Sequence, residues 1–252
     1  MLADGQATQA DISSRLLHKP LYLRGCWAEE NLQFDAANKP AKSYPPVGFT
    51  TSGIDITRAH LKNNVLHLEG GRVALRFDKS GKMTRVPIIY NAVLHVTLDI
   101  AAPPDGNFAP ALDAIFAETL TDVPLAHASA WQHFGAGRWL PPVDTPAPKP
   151  VGTDPQEALP VGGSVQPPRV LKQVDPIFSN VARAMHYSGE VRISLQVDSD
   201  GTPSHLEVDR PTGMGLDERA LAAVNSYRFQ PATQNGHPVP VEIFVDVKFN
   251  IF

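Results

Sequence analysis

From Glu190 to Asp198 apolar and polar residues alternate strictly, with Val191, Ile193, Leu195 and Val197 on one face. That two-residue period predicts a half-buried strand. Asp198-Ser199-Asp200-Gly201 reads as a turn, and His205–Asp209 as the return strand with Leu206 and Val208 inward. The longest alternation closes the chain over 239–252. Val239, Val241, Ile243, Val245, Val247, Phe249 and Ile251 share one face; Glu242, Phe244, Asp246, Lys248 and Asn250 share the other. Helical spacing appears twice in the same block. The first helix is predicted to open with Asp175 as N-cap and Pro176 at its first position, with Phe178, Val181, Ala182 and Met185 as its stripe and Gly189 at its end. The second is predicted over Leu216–Tyr227, with Ala220, Val224 and Tyr227 inward. Asp217 and Glu218 stand in its first turn, where the helix dipole favours acids. Helix, hairpin, helix, strand make a small α+β layer of two helices on a three-stranded antiparallel sheet.

The earlier part of the chain is richer in strands. Val65–Glu69 and Arg72–Phe77, split by Gly70-Gly71, read as a β-hairpin. A further alternation places Leu94, Val96, Leu98 and Ile100 on one face. Leu112, Ile115 and Phe116 then predict a helix within 108–120, and a second short helix is expected over 124–134. Between the two blocks, residues 141–168 hold nine of the 24 prolines, and apolar periodicity vanishes. At about 3.1 Å per residue, an extended Pro-rich segment of that length spans at most roughly 85 Å. The expected organisation is therefore a flexible 1–18, a strand-rich domain over 19–140 with one or two helices, a linker over 141–168, and a compact α+β domain over 169–252.

Composition narrows the function classes. Apolar residues make up 42% of the 252, enough to build cores. A net charge of −4 leaves no electrostatic footprint for nucleic acid. The single cysteine, Cys26, excludes an intrachain disulfide and a Cys-rich zinc site, and beside Trp27 it reads as a small buried hydrophobe. The longest uncharged apolar run, 86–98, is 13 residues and is broken by Pro87, Asn91 and His95, too short to cross a bilayer. The N-terminus shows no basic segment followed by an apolar run. Either the protein is cytoplasmic or an export signal or anchor has been trimmed from this chain. No catalytic signature appears: there is no His-Glu-x-x-His, no Gly-x-Ser-x-Gly and no phosphate loop. Asp198 and Asp200 lack the other positions of a calcium loop. The reading is a binding protein, not an enzyme, without cofactor or metal.

Several motifs in the C-terminal block stand in a fixed order. They are Asp175-Pro176-Ile177-Phe178, Ser188-Gly189-Glu190-Val191, Val197 to Pro203, Gly215 to Val224, and Tyr227-Arg228-Phe229-Gln230-Pro231-Ala232 before Asn235-Gly236-His237-Pro238-Val239. Together they resemble the C-terminal domain of the TonB family, the periplasmic end of a bacterial energy transducer, and the Pro-rich segment upstream matches the family's layout. Leu21–Glu30 is similar to the start of domains found before TonB-like C-termini. The family usually shows Pro-x-Tyr-Pro at the first helix, whereas this chain has Pro176-Ile177-Phe178-Ser179. The resemblance implies a location in the periplasm and capture of the TonB-box peptide of an outer-membrane receptor as an added strand, in the service of energy-coupled transport. It also implies coupling to proton-driven motor proteins of the inner membrane where an anchor is present. The strand-adding edge is expected on the last strand, through Val239, Val241, Glu242, Ile243, Phe244, Val245, Asp246 and Lys248, with Arg228 and Phe178 as further contacts. Charges along such an edge discourage indiscriminate pairing. The alternative is a soluble periplasmic adaptor or ligand-binding protein that uses this domain to form a homodimer.

Overall fold

The computed structural model describes residues 9–27, 29–43, 48–90, 92, 94–123 and 157–251. The chain divides into two compact units, one of Met1–Arg76 with Met83–Leu125 and the other of Phe77–Lys82 with Ala126–Phe252. The helix predicted over 124–134 and the first part of the predicted linker, 141–156, lie outside the described residues.

The N-terminal unit is one mixed sheet covered by two helices. Its strands are β1 (Leu21–Leu23), β2 (Asn31–Phe34), β3 (Gly53–Lys62), β4 (Val65–Phe77), β5 (Met83–Pro87), β6 (His95–Ala101) and β7 (Phe116–Ala117). The order is β2-β6-β4-β3-β1-β7, with β5 also on β4. Only β2 and β6 pair in parallel among the registers along that order. Leu66, Leu68, Val96, Leu98 and Ile100 fill the core from the sheet. The helix Ala109–Ile115 adds Ala111, Leu112 and Ile115 to it. The helix Gln9–Leu16, in the stretch expected to be flexible, buries Ile12 and Leu16 against the same core. Those two positions are four apart and so share a helix face.

The hairpin expected at Gly70-Gly71 does not form. The chain runs straight through both glycines as β4, and the reversal lies at Asn63-Asn64, both with positive φ (52° and 58°). Asparagine tolerates that conformation well, so a two-residue turn fits there. Gly70 serves another purpose: a Cβ on it would sit 2.5 Å from the Asp55 carbonyl oxygen of β3. The glycine allows close strand approach beside the irregularity between Ile56 and Arg58.

The second unit carries β8 (Leu159–Pro160), β9 (Val165–Gln166), β10 (Arg169–Lys172), β11 (Gly189–Val197), β12 (Pro203–Arg210), β13 (Arg228–Gln230), β14 (Ala232–Gln234), β15 (His237–Val239) and β16 (Val241–Phe249). The main sheet has the order β12-β11-β16-β8, with β10-β13 and β15-β14-β9 as small companion sheets. Helices Asn180–Ala184 and Leu216–Asn225 complete the α+β layer. The antiparallel three-stranded core β12-β11-β16 is as predicted. The predicted linker contributes too, since β8 and β9 both fall before residue 168.

Two boundaries shift for physical reasons. The first helix starts after Ser179, not Asp175. The Ser179 Oγ accepts from the Ala182 N–H at 2.9 Å and donates to the Met214 carbonyl, so the buried serine caps the helix. Phe178, ahead of the helix, is free to meet Phe249 edge-on at 5.3 Å between ring centres. The final strand breaks at Pro240, which has no N–H to give to a ladder. Val239 therefore pairs with Ala232, while Val241 pairs with Val197. The turn after β11 behaves as read: Asp198 N–H donates to the Thr202 carbonyl at 2.9 Å, and Gly201 takes φ +84°. No side chain fits at Gly201, because a Cβ would lie 1.9 Å from the Phe229 carbonyl oxygen.

Candidate functional site

The two edges of β16 differ. One is paired along its full length with β11, from Val241↔Val197 to Phe249↔Gly189. Among the described residues the other meets only β8, in parallel, at Val241↔Leu159 and Glu242↔Pro160. From Ile243 to Phe249 the second edge meets no strand among the described residues. A bare edge of that length offers a row of backbone N–H and C=O groups to an incoming strand.

Side chains along β16 follow the pleat. Val241, Val247 and Phe249 are buried, while Ile243 and Val245 on the same face are only half-buried. Both stand where the edge meets no strand among the described residues. The other face shows a cross-strand ladder with β11: Glu242 opposite Gln196, Phe244 opposite Ser194, Asp246 opposite Arg192, and Lys248 opposite Glu190. Arg192 holds Asp246 in a two-pronged pair, Nε to Oδ1 at 2.7 Å and Nη2 to Oδ2 at 3.0 Å. That bond holds the Asp246 carboxyl below its usual range and raises Arg192 above its own. Phe244 stands 57% exposed between these polar pairs, a large apolar side chain left mostly in solvent. The arrangement sets edge backbone groups beside an exposed aromatic ring and a row of charged side chains, a combination that can hold an extended peptide.

The structure therefore gathers Val241, Glu242, Ile243, Phe244, Val245, Asp246 and Lys248 on one strand. Val239 belongs to β15, across the proline break. Arg228 lies exposed on β13, where its Nη1 donates to the Tyr227 carbonyl at 2.6 Å. Phe178 is half-buried and packs on Phe249. Tyr227 and Phe229 are buried and lie 6.3 Å apart between ring centres, a packing pair.

Asp217 plays a part its sequence position does not reveal. Instead of facing solvent at a helix start, it is fully buried and accepts from the N–H groups of Thr212 (2.8 Å) and Gly213 (2.6 Å). Burial pushes its carboxyl well above the ordinary range, and the charge of Glu218 adds to this; the two backbone bonds pull the other way. The loop it holds runs through Gly213, Met214 and Gly215, all with positive φ. Three consecutive left-handed residues need an external tie. An acid one residue inside a helix that follows Thr-Gly-Met-Gly was the available signal.

In the N-terminal unit His60 and His67 face each other across β3 and β4 with rings 5.0 Å apart, and His67 Nδ1 lies 2.7 Å from Asp99 Oδ1. Among the described residues no three His, Cys, Asp or Glu side chains gather to hold a metal. Cys26 is buried.

Residues 174–251 match a family model described as Gram-negative bacterial TonB protein C-terminal. A relative, Protein TonB of Vibrio cholerae serotype O1 (strain ATCC 39315 / El Tor Inaba N16961), is 28% identical over 87 residues, which cover 34% of this chain and 36% of the relative. The chain thus spans about a third of that protein's length. A solution NMR structure of Pseudomonas aeruginosa TonB CTD aligns with 36% of this chain and 90% of its own at 22% identity, with a TM-score of 0.29.

Proposed function

We propose that this chain, whose residues 174–251 match the TonB C-terminal family model, is a TonB-like protein of the cell envelope whose β16 edge takes up the TonB-box peptide of an outer-membrane receptor as an added strand. The observation that supports this is the edge from Ile243 to Phe249, open among the described residues and flanked by the exposed Phe244. Main-chain hydrogen bonds supply affinity in such a contact, and side chains on alternate positions supply selectivity. The role is binding in the service of energy-coupled transport, not catalysis. Among the described residues no helix is long and apolar enough to cross a membrane.

Isothermal titration of the full chain with synthetic peptides copying receptor box segments tests this. Saturable binding is expected, weakened about tenfold by Phe244→Ala, as for a central aromatic anchor. Absence of binding at millimolar peptide overturns the reading.

A further inference from the structure

We propose that the chain carries its own competitor for the receptor strand: the segment Leu159–Pro160, docked as β8 on the first two residues of the β16 edge. The proposal rests on the reading of that edge as the receptor site. It starts from where β8 lies. β8 pairs with Val241 and Glu242 on the same side of β16 that is open from Ile243 onward. A peptide strand running the length of β16 needs the positions that β8 holds.

The segment is built to hold weakly. Leu159 N–H donates to the Pro240 carbonyl at 2.9 Å. Pro160 has no N–H, so it adds no donor to the ladder. The chain then leaves the edge at Gly162 and Gly163, with φ of +133° and +59°. Gly162 and Val165 close that turn through mutual backbone bonds of 3.3 and 3.0 Å. Leu159 is only half-buried, and Val161 just after it is 41% exposed. The strand is two residues long, buries Leu159 only in part and does not continue its ladder.

The segment is also tethered close by. β9 follows the turn directly and pairs with β14 through Gln166↔Thr233 and Val165↔Gln234. A short tether keeps a weak strand at high effective concentration near its site. The edge is thus shielded from casual pairing by a neighbour that a better strand displaces. Such a peptide has N–H groups at every position and apolar side chains that cover Ile243 and Val245.

The test uses the full chain, labelled for amide exchange, and a synthetic receptor box peptide. Addition of peptide is expected to release the Leu159 amide, raising its exchange rate at least about tenfold as its bond to Pro240 is lost. Leu159→Pro, which deletes the donor, is expected to tighten peptide binding about three- to tenfold, the gain from removing one modest backbone pairing. A second variant with 157–161 replaced by Gly and Ser is expected to give the same gain, and covers the case in which the proline disturbs the turn. Peptide binding that leaves Leu159 protected, with both variants at wild-type affinity, overturns the proposal and makes β8 a fixed part of the sheet while the receptor reading stands. Failure of all three proteins to bind peptide overturns the receptor reading itself.

Discussion

Asp217→Ala is expected to lower the stability of the C-terminal unit by about 3 kcal/mol, because it strands two buried backbone donors at about 1–3 kcal/mol each. The donors are the N–H groups of Thr212 and Gly213, which have the Asp217 carboxyl as their partner. Beyond them, the Gly213–Gly215 loop loses the tie that holds three left-handed residues in place. Ser179, which donates to Met214 in that loop, then loses a firm partner, and the first helix loses the anchor of its cap. Asp217→Asn keeps an acceptor and is expected to cost less. The same residue sets a pH dependence. Its folded pKa is raised, first by burial and then by Glu218, above an unfolded value near 3.9. Between the two values the native state binds the extra proton, so stability falls as pH rises through that window. Urea denaturation from about pH 4 upward checks this: wild type loses stability relative to Asp217→Asn as pH increases, and an opposite trend contradicts it.

Phe249→Ala is expected to cost about 3–4 kcal/mol, the range for emptying a buried aromatic site. Phe249 is 1% exposed at the end of β16 and meets Phe178 edge-on. Such ring pairs add about 0.5–1.5 kcal/mol beyond area burial. Phe178 is half-buried, so Phe178→Ala is expected to cost less, about 1–2 kcal/mol. Thermal denaturation of the two variants compares them directly. Equal losses would contradict this and put as much of the packing on Phe178 as on the strand end.

Much of the C-terminal unit was legible because its strands keep a strict two-residue period. Val191, Ile193, Leu195 and Val197 alternate without a break, and all four are buried. What escaped were features that depend on distant partners. Leu159-Pro160 carries no local strand signal; it is a strand only because Val241, some 80 residues on, lies beside it. Asp217 satisfies every rule for a dipole-complementing surface acid, and only the loop folded over it makes it a buried brace. In the N-terminal unit β3 is interrupted after Ile56 by a register shift, and its second half, His60 to Lys62, is exposed, so its alternation does not show. The Gly70-Gly71 pair looked like a turn because glycine marks both turns and close strand contacts, and sequence alone does not separate the two. Of the candidate edge, Val241 to Lys248 was legible as one alternating strand; its break at Pro240 and its partial cover by β8 were not.

The central claim is that the open edge of β16 accepts a peptide strand. Amide-resolved NMR of the isotope-labelled full chain, titrated with a receptor box peptide, tests it most directly. New protection and large shifts are expected at Ile243–Phe249, with changes at Val241, Glu242 and Leu159 where β8 gives way and smaller ones at the β11 partners Gly189 to Leu195. Binding that leaves those amides unchanged and perturbs the β10 or β12 edges instead would contradict it.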